Sequence, residues 1–195
     1  MKKIVPILAS AALAFSAVPA SASDEPSAWK TVGDWDVSFY PTLPGCMALI
    51  LYESGLFFFI GVSTGEQGQL LELTLMNEAW ESIEDGKDYE ILVQFGRETP
   101  WTLEMAGLEN EGMPMLTYSF PLFSSPAKAF INEFMRKNWM EWSYLGSSLG
   151  NLSLRGSRAA FLEMVNCQRE FNKALASTGD PFAPRSGSPD DPFSR

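Results

Sequence analysis

The sequence predicts an α+β fold: a mostly antiparallel β-sheet, curved or folded into a sandwich, with two covering helices. Three observations predict it. Period-2 alternation of apolar and polar residues dominates the middle of the chain. Two later segments switch to helical spacing, each just after a capping signal. The length, once an export signal is set aside, fits one domain with a sizeable core.

The strands come first. Trp35, Val37 and Phe39 alternate with Asp36 and Ser38, and Leu71, Leu73 and Leu75 alternate with Glu72 and Thr74. Tyr89, Ile91, Val93 and Phe95 alternate with Glu90 and Gln94. Trp101, Leu103 and Met105 alternate with Thr102 and Glu104, and Leu116, Tyr118 and Phe120 continue the pattern. Such strands bury one face and wet the other. Residues 47–52 and 56–62 are instead apolar on both faces, joined by Glu53-Ser54-Gly55. They predict a hairpin in the middle of the sheet, covered on both sides. Residues 65–68 and 85–88 read as further turns.

The first helix follows Ser124-Ser125-Pro126, with hydroxyls to cap it and a proline suited to its first turn. Its apolar face is Phe130, Ile131, Phe134 and Met135. The second is expected to start at Ser157 as N-cap, after Gly156. Its stripe is Ala160, Phe161, Met164, Gln168, Phe171 and Leu175, with Cys167 at the edge. Between the helices, residues 139–145 and 152–155 predict two more strands, joined by a turn over 146–150.

The two ends differ from the middle. Met1-Lys2-Lys3, an apolar run from Ile4 to Val18 and Ala20-Ser21-Ala22 have the layout of a bacterial signal peptide, residues 1–22. The run is too short to span a membrane, so no transmembrane segment is expected after cleavage, and the destination is periplasmic or secreted. Removing 22 of the 195 residues leaves 173, and the folded domain is expected over 23–176. Residues 177–195 are rich in Gly, Pro, Ser and Asp, with Asp-Pro-Phe at both 180–182 and 191–193. They predict a disordered C-terminal tail, with docking of its Phe side chains on a partner as the alternative.

Charge and composition exclude several functions. The signal removes two lysines and no acid, taking the net charge from −10 to −12. A chain so acidic is a poor match for nucleic acid or an anionic membrane surface. It contains no histidine, which excludes Ser-His-Asp and Cys-His catalysis and imidazole metal sites. No phosphate-cradling glycine loop is present, and neither a metal nor a cofactor is expected.

Cys46 and Cys167, the only cysteines, are expected to form one disulfide after export. Two separately buried thiols are the alternative. The bridge would close a loop of about 120 residues and stabilise the fold by restricting the unfolded chain, on a loop-entropy estimate.

Paired carboxylates remain as a catalytic device, with Glu72, Glu90, Glu104 and Glu141 as candidates, although nothing in the spacing selects a pair. Gly156-Ser157, with Lys128 as the base, is a faint nucleophile pattern read instead as a helix cap. Trp80, Trp101, Trp139, Trp142, Tyr40 and Tyr144 could stack on a sugar or hold a peptide, although core packing accounts for most of them. Arg155 and Arg158 flank Gly156-Ser157 at a helix start. They could contact an anion or ligand, but a surface ion pair is the simpler expectation.

Gly33-Asp34-Trp35-Asp36-Val37, a cysteine soon after it, and Leu152-Ser153-Leu154-Arg155-Gly156-Ser157-Arg158-Ala159-Ala160 leading into the last helix give a layout that resembles the invasion-associated locus B type of secreted protein of alphaproteobacteria. The resemblance covers these two stretches and the general order of elements. It implies a small exported β-rich protein acting at the envelope or host interface, and it carries no catalytic residues. The expected function is therefore non-catalytic binding of an envelope protein or a small ligand. A hydrolase acting on cell wall or glycan through two carboxylates is the alternative, and a purely structural role in an envelope assembly is a third.

Overall fold

A computed structural model describes residues 25–43, 45–65, 68–110 and 112–177. Residues 1–22, expected to be a signal peptide, and both Asp-Pro-Phe copies lie outside the described residues. Those described form one ten-stranded, open, curved antiparallel sheet and two helices. The strands are β1 (Ser27–Val32), β2 (Trp35–Tyr40), β3 (Gly45–Leu51), β4 (Phe57–Gly65), β5 (Gly68–Met76), β6 (Asp88–Phe95), β7 (Trp101–Asn110), β8 (Met113–Pro121), β9 (Trp139–Tyr144) and β10 (Ser147–Ser153). Helix α1 (Ser125–Arg136) lies between β8 and β9, and α2 (Ser157–Ser177) follows β10. The spatial order is β1-β2-β3-β4-β5-β8-β7-β6-β9-β10.

The predicted alternation sets the inner face. Trp35 and Val37, Leu71, Leu73 and Leu75, Ile91, Val93 and Phe95, and Leu103 and Met105 are all buried. Both helices pack on that face. Phe130 and Phe134 of α1 are fully buried against it, with Phe134 edge-on to Trp35 at 5.5 Å and Phe130 edge-on to Phe95 at 5.0 Å. The curvature brings the β3–β4 hairpin to the far edge of the sheet: Tyr52 Oη donates to the Ser153 carbonyl at 2.9 Å. There is no room for a side chain at Gly45, whose Cβ would lie 2.0 Å from the Val62 carbonyl oxygen.

Four features differ from the expectation. β1 is an additional edge strand. It is almost wholly exposed, so no burial alternation marks it in the sequence, and it pairs with β2 through a tight turn at Gly33-Asp34. The β3–β4 hairpin is interior to the sheet but covered by helices on one face only. Its outward residues Leu51 and Phe57 stand in a cross-strand row with Met76, Met115 and Leu108, and Leu51 remains 56% exposed. The β9–β10 turn is tighter than expected, at Leu145-Gly146, both with positive φ, so β10 already begins at Ser147.

The fourth concerns Ser157, which is not an N-cap. It is the first helical residue, and its buried hydroxyl donates to the Phe134 carbonyl at 2.7 Å, satisfying an orphan acceptor in the last turn of α1. Gly156 occupies the cap position with φ +84°, a conformation that suits glycine. The first helix is capped as expected: Ser124 Oγ accepts from the Ala127 N–H at 3.2 Å.

Candidate ligand groove between the helices

The two cysteines are joined. Cys46 in β3 and Cys167 in α2 form a buried disulfide with Cα atoms 6.0 Å apart. The next residue, Gln168, continues the seam. Its Oε1 accepts from the Cys46 backbone N–H at 2.8 Å, and its Nε2 donates to Asn172 Oδ1 at 3.1 Å. α2 is thus pinned over β3 at mid-length. One flank carries Phe171 onto Phe39, stacked with ring centres 3.9 Å apart. The other flank is left facing α1.

That flank forms one wall of a groove of about 680 Å³. Phe161 and Val165 of α2, Ile131 of α1, Val62 of β4, and Leu122 and Phe123 after β8 supply its apolar surface. Phe123, a large apolar ring in this lining, is 71% exposed. The charged groups lining the groove are all cationic: Lys128, Arg169 and Lys173. Arg169 donates to Asn166 at 3.3 Å, and Lys173 pairs with Glu170 at 2.6 Å. Among the described residues, Lys128 makes no ion pair.

The groove is not legible from any one stretch of sequence. It combines two helices, two strands and a loop, and Lys128 stands out in the sequence only as a candidate base. The available signal is the width of the α2 stripe: Val165, Arg169 and Asn172 lie on its flank, beyond what contact with the sheet requires.

The other candidates are dispersed. Arg155 Nη2 reaches Asp34 at 3.4 Å across an exposed pair, and Arg158 stands exposed in the first turn of α2. Ser157 is buried and engaged with Phe134, so it offers no nucleophile to Lys128. Glu72 is half-buried and accepts from Ser63 Oγ at 2.6 Å. Glu90 and Glu104 face each other directly across β6 and β7, both exposed on the outer face. Glu141 pairs with Gln94, four residues further along β6 and so about 13 Å away.

The aromatics form no single platform. Trp142 is fully buried, and Trp101 donates to Glu133 at 3.0 Å. Tyr40 packs edge-on to Phe59, while Trp139 is 39% exposed. Trp80 and Tyr144 line a separate cavity of about 230 Å³ with Ile83 and Leu149. Among the described residues no cluster of acids or cysteines could hold a metal ion, and no helix is long and apolar enough to cross a membrane. No family model, curated protein or solved structure matches the chain.

Proposed function

We propose that this is an exported, non-catalytic binding protein of the cell envelope, with the groove between α1 and α2 as its binding site. The observation that carries the reading is the groove itself. Its volume of about 680 Å³ and its largely apolar wall with a few polar groups are what small-molecule sites have. The signal-like N-terminus and the buried disulfide support export to an oxidising compartment, the periplasm or the medium. The resemblance to the invasion-associated locus B type supports a role at the envelope. Binding is preferred to carboxylate hydrolysis because Glu90 and Glu104 stand side by side on an exposed outer face, whereas such catalysis needs two carboxyls flanking the bond of a bound sugar.

The test is binding of a neutral, polarity-sensitive dye, N-phenyl-1-naphthylamine, to the mature chain. Its fluorescence should rise on binding and fall back in Val165→Trp, which fills the groove. No rise, or a rise that Val165→Trp leaves intact, would overturn the assignment.

A further inference from the structure

We infer that the groove takes a single-chain amphiphile with an anionic head, of the long-chain carboxylate class. This rests on the groove being the binding site and adds the chemistry of its occupant. The first argument is charge. The mature chain is strongly acidic, yet the groove is lined by three cations and no acid. A random surface of this protein would show the opposite balance. Part of that charge is already engaged, since Lys173 is paired with Glu170. Lys128 makes no ion pair among the described residues, and it stands in the first turn of α1, where the helix dipole also favours an anion.

The second argument is shape. Along α2 the lining runs from Phe161 to Ala176, a rise of about 22 Å at 1.5 Å per residue. Spread over that length, about 680 Å³ leaves a cross-section of about 30 Å², room for one alkyl chain at carbon contact distances of ~3.5–4 Å. The third is polarity along the length. Phe161 and Val165 line the N-terminal half of α2, while Arg169, Asn172 and Lys173 line the C-terminal half. The hydrocarbon therefore lies toward Phe161 and the head toward Arg169 and Lys173, with Lys128 facing from α1. Gln168, the buried polar group of the wall, is already satisfied by Cys46 and Asn172, so the apolar half demands no hydrogen bond from its occupant.

The experiment is displacement of N-phenyl-1-naphthylamine from the mature chain by hexadecanoate, hexadecanol and hexadecyltrimethylammonium, each below its aggregation concentration. Hexadecanoate should displace the dye at a concentration about tenfold lower than hexadecanol, and the cation should be the weakest. Lys128→Gln with Arg169→Gln and Lys173→Gln should abolish the preference, read as the ratio of the concentrations at which hexadecanoate and hexadecanol displace the dye. Lys128→Glu alone, at a residue without an ion pair, should reduce it and serves if the triple variant fails to fold. Equal displacement by carboxylate and alcohol, with the dye still bound and still lost in Val165→Trp, would overturn the anionic head and leave the groove reading intact. No dye binding at all would overturn both. Displacement by a synthetic peptide of residues 178–195 but not by hexadecanoate would overturn the inference in favour of the chain's own C-terminal segment.

Discussion

The indole Nε1 of Trp35 donates to the carbonyl oxygen of Arg155 at 3.0 Å, across 120 residues of chain. The bond joins the Gly33–Val37 stretch to the Leu152–Ala160 stretch. Asp34 reaches Arg155 beside it, and Gly156 lies against the Trp35 ring. The start of the second strand and the entry to the last helix thus form one corner of the molecule.

This corner gives a comparison between two buried tryptophans. Trp35 spends its N–H on Arg155, whereas Trp142 Nε1, also fully buried, has no partner among the described residues. Replacing either with Phe removes similar volume. Trp35→Phe also strands an acceptor, while Trp142→Phe deletes an unsatisfied donor. Trp35→Phe is expected to cost about 1–3 kcal/mol more than Trp142→Phe in urea unfolding. Equal costs would show that the Trp35 bond contributes nothing.

The disulfide is expected to leave no titratable thiol in the denatured, unreduced mature protein. Replacing both Cys46 and Cys167 with Ala should lower stability by about 5 kcal/mol, the entropy of a loop this long. Two free thiols in the titration would refute the pairing.

Much of the fold was legible because burial and alternation coincide. Leu71, Leu73 and Leu75 read as one buried face and are one. The misreadings have physical causes. β1 packs almost nothing inward, so it leaves no pattern. Leu51 and Phe57 look like doubly covered core because they are apolar, but they lie on the outer face, where no helix covers them and Leu51 stays exposed. Ser157 follows a glycine like a cap, but a turn from another helix claims its hydroxyl. The groove escaped because Lys128 and Arg169 are brought together only by tertiary packing.

Tyr52 offers a test at alkaline pH. Burial holds its phenol above the ordinary tyrosine value, and it donates to Ser153. A raised folded value means that this stability is complete below about pH 10 and is lost as pH rises from there through the folded value. Tyr52→Phe should therefore cost about 1 kcal/mol at neutral pH. The deficit should shrink above pH 10, where only the wild type loses this contribution. A deficit constant with pH, followed by chemical denaturation, would refute it.

Glu90 and Glu104 are like charges placed directly opposite one another on the exposed face. Glu104→Lys should stabilise the domain by about 0.2–1 kcal/mol at low ionic strength, with the gain fading in salt. Thermal melts at two salt concentrations measure both effects. A destabilised variant would place these carboxylates in a role the outer face does not suggest.

Arg155 and Arg158 are expected to behave as surface charges. Exchanging both for Gln should change stability by less than ~1 kcal/mol, the range of exposed ion pairs. Phosphate or sulfate should stabilise the wild type and the double variant equally. A ligand-dependent gain present only in the wild type would instead establish an anion site at the start of α2.

The disulfide also sets a schedule. Cys46 must wait for Cys167, 121 positions later, just as Lys30 must wait for Glu163. At a synthesis rate of about 5–20 residues per second, that wait lasts roughly 6–24 s. Until α1 is made the inner faces of β2 to β4, with Trp35 and Phe58, have no helix to cover them, and until Cys167 is made they have no covalent tie. Pairings this distant in sequence also close slowly once both partners exist. The covalent lock of this domain therefore closes only after its last helix has been made, and nearly the whole folded chain must exist before it can set.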